Sequence, residues 1–198
     1  MKFKNHPLQI FFLFLFLIGC DSKEARLQKF LLKGNLAGQE RNWEQATYYY
    51  AEAIRIEPCF EEAWNNLGTV YFQQKNYEKA MENYEKAVSC SPQFIDALLN
   101  RANTAYELKE YFRAVNDLEK VITLKPDTSV TYFTLGLTYT KLRDFGKARK
   151  AFEKAADLDS LDAGTEVIVV IVTSQWYGVQ TPDGHRGWLR RDQVEQLQ

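Results

Sequence analysis

Reactive side chains are what this chain has least of. Its 198 residues include two histidines and three cysteines. His6 sits near the start and His185 beside a Pro-Asp-Gly turn, neither with a second ligand or nucleophile at a telling spacing, so His185 reads as a solvated loop residue. There is no P-loop, G-x-G-x-x-G, H-E-x-x-H or C-x-x-C. These absences exclude the commonest phosphate, dinucleotide, zinc-protease and dithiol chemistries, and the expectation is a protein that is not an enzyme, with no catalytic residues, no metal and no cofactor. One sign of charge in excess is also lacking: 25 Lys and Arg stand against 26 Asp and Glu. Without a basic stripe, a nucleic-acid partner is not expected. The carboxylates Glu78, Glu82 and Glu85 recur at helical spacing among lysines, as on a solvated face.

A long apolar run is missing too. Residues 8–18 (LQIFFLFLFLI) are apolar but well short of the roughly 20 residues that span a bilayer. Preceded by Lys2 and Lys4 and followed by Gly19-Cys20, they read as an export signal over residues 1–19. Leu17-Ile18-Gly19-Cys20 resembles the bacterial lipobox, which implies that Cys20 becomes a lipidated mature N-terminus on a short tether (20–26), facing the periplasm or exterior. Asp21 resembles an inner-membrane retention signal, a rule that varies between bacterial groups. Loss of Lys2 and Lys4 takes the formal net charge from −1 to −3. Cys59 and Cys90 fall at different phases of the pattern described next and are expected to be two isolated thiols.

What is present is a repeat. Pro58, Pro92 and Pro126 fall at intervals of 34 residues, and whole columns of residue types move with them. Gly34, Gly68, Ala102 and Gly136 form one small column, Ala46, Ala80, Ala114 and Ala148 another, Ala53, Ala87, Val121 and Ala155 a third. Trp43, Tyr77, Tyr111 and Phe145, then Tyr50, Tyr84, Leu118 and Phe152, are large. A fixed period in this range marks a solenoid. In the second copy Trp64, Leu67 and Tyr71 share one helical face (helix A), and Tyr77, Ala80, Met81, Tyr84, Ala87 and Val88 share another (helix B). Pro92 ends helix B just before it. Gly68 and Ala80 are placed where the two helices cross, where a side chain larger than a methyl would hold the axes apart.

These residues resemble tetratricopeptide (TPR) repeats, W-N-N-L-G-T-V-Y lying close to the family consensus. The resemblance covers four copies, 27–60, 61–94, 95–128 and 129–162. It departs at Lys33 and Ala37, at Arg101 and Ala105, and at Ser160 in place of a proline. End copies are expected to carry a more polar outer face, because they have one neighbour only; that reasoning leaves the internal Arg101 unexplained.

Beyond Leu161 the period changes. Residues 166–172 (EVIVVIV), 176–180 and 186–190 read as strands, with a turn at 181–184. Gly164-Thr165-Glu166-Val167, Trp176 to Val179, Asp183-Gly184, Gly187-Trp188 and Val194 resemble the later half of a bacterial SH3-like fold lacking its first strand. A sheet this small is marginal alone, so residues 163–198 are expected to pack on helix B of the fourth repeat and cap the solenoid. The fold class is therefore mostly α, a four-repeat TPR solenoid with a small C-terminal β segment.

The resemblance also implies a protein-binding groove lined by the A helices: Leu31 and Asn35; Asn65, Thr69 and Phe72; Leu99, Asn103 and Tyr106; Phe133, Leu137 and Thr140. Phe72, Leu99, Tyr106, Phe133 and Leu137 are expected to form an apolar stripe outside the core, and Asn35, Asn65 and Asn103 to hold a peptide backbone. The carboxylate clamp of some TPR domains is not expected: Asn35 and Asn66 fit its amide places, but Leu31, Asp96 and Asn100 occupy the basic ones. Two functions follow. The first is a lipid-anchored envelope scaffold that grips a protein partner in the groove. The alternative has the SH3-like segment bind peptidoglycan or its peptides, the array serving as spacer.

Overall fold

The computed structural model describes residues 22–158 and the backbone of 168–172, 176–180 and 186–190. The leader, Cys20, Ser160, the turn at 181–184 and His185 lie outside the described residues. Eight helices form four antiparallel hairpins among the described residues: α1 (Lys23–Gln39) with α2 (Trp43–Ile56), α3 (Glu61–Gln73) with α4 (Tyr77–Cys90), α5 (Ile95–Glu107) with α6 (Tyr111–Leu124), and α7 (Ser129–Lys141) with α8 (Phe145–Leu158). Among the A helices α1 contacts α3 and α3 contacts α5, while α5 and α7, like successive B helices, make no comparable contact. The A layer therefore follows the shorter, inner arc of the stack.

Each hairpin turns by the same device. Arg41, Lys75, Lys109 and Arg143 adopt the left-handed conformation, with φ of 56°, 60°, 64° and 61°. In the first copy the Arg41 amide donates to the Gly38 carbonyl and the Asn42 amide to the Ala37 carbonyl, the paired bonds of a Schellman motif. Asn42 then caps α2, its Oδ1 accepting from the Gln45 amide. Asn76 and Asp144 repeat this, accepting from the Lys79 and Lys147 amides. On the other side α4 stops at Cys90 and Ser91 is extended (φ −134°, ψ 93°), as Pro92 requires.

The hairpins close on their small columns. Ala46, Ala80, Ala114, Ala53, Ala87 and Val121 are fully buried. A Cβ built on Gly34 would lie 2.4 Å from Tyr50 Cε1, on Gly68 2.7 Å from Tyr84 Cε1, and on Gly136 2.2 Å from Phe152 Cε1. The limit is tighter than the sequence suggests, since even a methyl collides at these crossings. Where the column holds Ala102, its partner is Leu118, which replaces an aromatic ring with an aliphatic side chain. Gly68→Ala is therefore expected to cost about 1–3 kcal/mol by overpacking. Leu118→Tyr is expected to do the same, and adding Ala102→Gly to recover most of the loss, a coupling of about 1 kcal/mol or more in urea titrations.

The two basic departures from the pattern have structural partners sixteen residues on. Arg101 replaces a core leucine and pairs with Asp117 of α6, its Nε donating to Oδ2 at 2.7 Å and its Nη2 to Oδ1 at 2.6 Å. Lys33 lies over the Tyr49 ring, 5.3 Å from its centroid. In the fourth hairpin the same pair is Leu135 and Ala151, both buried.

Two expectations are overturned. Cys59 and Cys90 are bonded as a disulfide, their Cα atoms 5.3 Å apart. Their different phases do not keep them apart, because an antiparallel hairpin sets the residue before its first helix beside the last residue of its second. The outer face of the first hairpin, moreover, is not uniformly polar: Leu32 and Leu36 are exposed there among Arg26, Lys29 and Lys33.

The apolar clusters among the described residues lie between Leu27 and Ala156. Beyond them, β1 (Ile168–Val172), β2 (Trp176–Gln180) and β3 (Arg186–Arg190) form an antiparallel sheet in the order β1-β2-β3. Val169 opposes Val179 and Ile171 opposes Gly178, with an irregularity between. The β3 backbone runs beside α8 and α7.

Candidate functional site on the inner wall

The A-helix positions singled out in the sequence divide by depth. Leu31, Asn65, Leu99 and Phe133 occupy one column and look mainly into the contacts between hairpins. Phe133 is only 7% exposed and tilts against Phe152, ring centroids 6.0 Å apart. Leu99 bridges the clusters of neighbouring repeats, and Leu31 packs beside Ala53 and Phe60 as well as Tyr50. Leu137 packs on the last cluster. The expected apolar stripe is thus absorbed largely into packing. Phe72 and Tyr106 are half-buried, each meeting the first ring of the following helix edge-on, Tyr77 at 5.3 Å and Tyr111 at 5.5 Å. Asn103 and Thr140 are the exposed members of the set, and Thr69 is partly open.

The asparagines are also spent differently from the expectation. Tyr50 Oη donates to Asn35 Oδ1 at 2.8 Å, and Asn66 Nδ2 donates to the same oxygen at 2.9 Å. Asn65 Nδ2 donates to Asn66 Oδ1 at 3.2 Å, and Asn100 Nδ2 to Asn65 Oδ1 at 2.9 Å. This amide chain links α5, α3 and α1 and fixes how the first three hairpins sit on one another. Asn65 is therefore a buried structural group, while Asn35 keeps its own amide hydrogens for the wall. Burial pushes the Tyr50 and Tyr84 hydroxyls up to about 12, so both remain protonated donors at neutral pH.

Between α1 and α3 the wall opens into a cleft of about 440 Å³. Asn35, Gln39, Asn66, Thr69 and Gln73 supply its polar lining, Trp43 and Tyr50 its aromatic surface, and Arg41 its one cation. No carboxylate lines it. Asn35 and Thr69 were legible as wall residues in the sequence. Gln39, Arg41, Trp43 and Gln73 were not, because they come from three helices and a turn whose convergence depends on the stacking angle. Asn66 was legible only as an amide place of the carboxylate-clamp pattern. Among the described residues no group of His, Cys, Asp or Glu could hold a metal ion, and no helix is long and apolar enough to cross a membrane.

Tetratricopeptide-repeat family models match residues 61–94, 95–128 and 129–162, together just over half of the chain. The chain is a tetratricopeptide-repeat protein. Solved structures agree on the fold. A crystal structure of MamA is 21% identical over 67% of this chain and 77% of that one, with a TM-score of 0.63. MamA from Desulfovibrio magneticus RS-1 is 24% identical over 68% and 76%, TM-score 0.64. Pseudomonas aeruginosa pilF is 27% identical over 69% of this chain and 63% of that one, TM-score 0.64. No match was found among curated proteins. TPR arrays are protein-interaction scaffolds, and the fold is typically non-catalytic, in keeping with the amide-lined wall.

Proposed function

We propose that this TPR protein is a lipid-anchored scaffold outside the cytoplasm that binds an envelope protein along its inner wall. The observation that carries the reading is the cleft between α1 and α3, where Asn35, Gln39 and Gln73 present amides beside the Trp43 and Tyr50 rings. Amides suit an extended peptide backbone and the rings its side chains. Thr69 continues this surface on α3, with Asn103 on α5 and Thr140 on α7. The Cys59–Cys90 disulfide supports export, since such bonds persist in oxidising compartments. Cys20 is the lipidation site in this reading.

The alanine scan that the sequence suggests has to change. Phe133→Ala would open a cavity and cost about 3–5 kcal/mol, so lost binding there would report unfolding. A photo-crosslinking side chain at Gln73 or Asn103, both exposed, is expected to capture a protein in the native cell. The same group at Lys86 or Lys150, on the outer B layer, is expected not to. Equal capture from both layers would remove the inner wall as the site.

The second reading makes residues 163–198 an SH3-like module for peptidoglycan, and the three-stranded sheet is its support. Deleting those residues discriminates. The scaffold reading expects crosslinking from Gln73 to persist, with α7 and α8 destabilised because β3 runs beside them. The module reading expects sedimentation with purified peptidoglycan to vanish.

A further inference from the structure

Every inner hairpin has its leading face covered by the hairpin before it. Along that face Ala63 and Val70, Ala97 and Thr104, and Thr131 and Thr138 are all at most 3% exposed. The 34-residue step carries these positions back to Lys29 and Leu36 of α1. Between them, Leu32 stands where the inner repeats hold Asn66, Asn100 and Thr134. Here the face is open: Leu32 is 60% exposed and Leu36 50%. An end face is normally polar for solubility. On this one Leu36 stands where the inner repeats bury Val70, Thr104 and Thr138, and Leu32 where they hold polar side chains, beside Lys29.

Three features select its occupant. The opposite end of the stack has β3 beside α8, so a second copy adding head to tail would have to displace the chain's own strand. On α1 the cations outnumber its one carboxylate, Glu24, although Lys23 is ion-paired with Glu57 and Arg26 lies near Glu52. Symmetric pairing of α1 with another α1 would set this positive excess against its copy, whereas an anionic surface would attract it. Lastly, α1 starts three residues after Cys20 and five after Ile18, an extended reach of about 10 and 17 Å. Whichever of these enters a bilayer, α1 is delivered to its surface.

We propose that the outer face of α1 is a membrane-docking surface. Leu32 and Leu36 enter the interface of a bilayer whose anionic headgroups meet Arg26 and Lys33, as amphipathic interfacial helices do. Delivery to the bilayer rests on the proposed membrane attachment, but the face itself does not. Docked in this way, the stack rises from the membrane on its first hairpin, with the inner wall and the C-terminal end held clear of lipid.

The test uses the chain from Ser22 onward, which keeps the whole core described above but has neither Cys20 nor the apolar run. Co-sedimentation with vesicles of phosphatidylcholine containing one third phosphatidylglycerol is expected to exceed that with pure phosphatidylcholine about tenfold or more. The pair Leu32→Glu and Leu36→Glu is expected to abolish it without lowering the urea midpoint. Binding to neither vesicle, or equal binding by the paired variant, overturns the proposal. A dimer that the same pair dissolves in analytical ultracentrifugation also overturns it, giving the face to a second copy. Lipidation is read separately, by fatty-acid labelling of the full chain: an unlabelled Cys20 with vesicle binding intact removes the anchor and leaves the docking face.

Discussion

Arg101→Leu is expected to lower the unfolding free energy by about 3–4 kcal/mol. The side chain of Asp117 is 7% exposed, and both its oxygens accept from Arg101. Removing the guanidinium leaves a carboxylate with neither water nor partner, and that unpaired buried charge sets the magnitude. The 18% exposure of the Arg101 side chain admits some water and keeps the loss at the lower end of the range for buried pairs. The informative companion is Arg101→Leu with Asp117→Ala, which installs what the fourth hairpin already has at those positions, Leu135 and Ala151, both 6% exposed. Because an ion pair gains little over well-packed apolar groups once desolvation is charged against it, the double variant is expected within about 1–2 kcal/mol of the parent. Urea titration of the three proteins decides this. A double variant as unstable as the single one would show that the pair does more than satisfy itself.

Reduction of Cys59–Cys90 is expected to cost a similar amount by a different route. The bond closes a loop with a sequence separation of 31 residues, for which the chain-entropy account gives about 3–4 kcal/mol. The loop is one hairpin, α3 and α4, and in a linear array a local loss stays near its origin. Amide exchange after reduction is therefore expected to rise most in α3 and α4 and least in α7. Cys59→Ser with Cys90→Ser should match the reduced protein. Free thiols in the protein isolated from its native cell would sink both the pairing and the support it lends to an exported location.

The pattern of the array was readable because each hairpin depends on a few local columns. Gly68 and Tyr84 are sixteen residues apart in one supersecondary unit, and their meeting needs only the hairpin. Cys59 and Cys90 meet by a local rule as well, since an antiparallel hairpin brings its two open ends together. The wall was less readable. Phe133 looks like a free aromatic on an A helix, yet it fills the space beside Phe152, where Leu99 and Leu118 of the preceding hairpin join the same cluster. Asn65 looks like a ligand donor, yet the offset between α3 and α5 brings Asn100 within 2.9 Å of it.

The amino-acid sequence alone determined the helices, their turns, the 34-residue step and the family, because these follow from side-chain periodicity, proline and glycine stereochemistry and contacts within one hairpin. Only the tertiary structure decided which wall residues stay open, that Arg101 answers Asp117, that two thiols meet, and that the first hairpin ends on bare leucines. The open wall and the exposed first face depend on the angle and offset at which rigid hairpins stack, a quantity summed over many weak contacts and written in no single column; the ion pair and the disulfide depend on how the two helices of one hairpin meet.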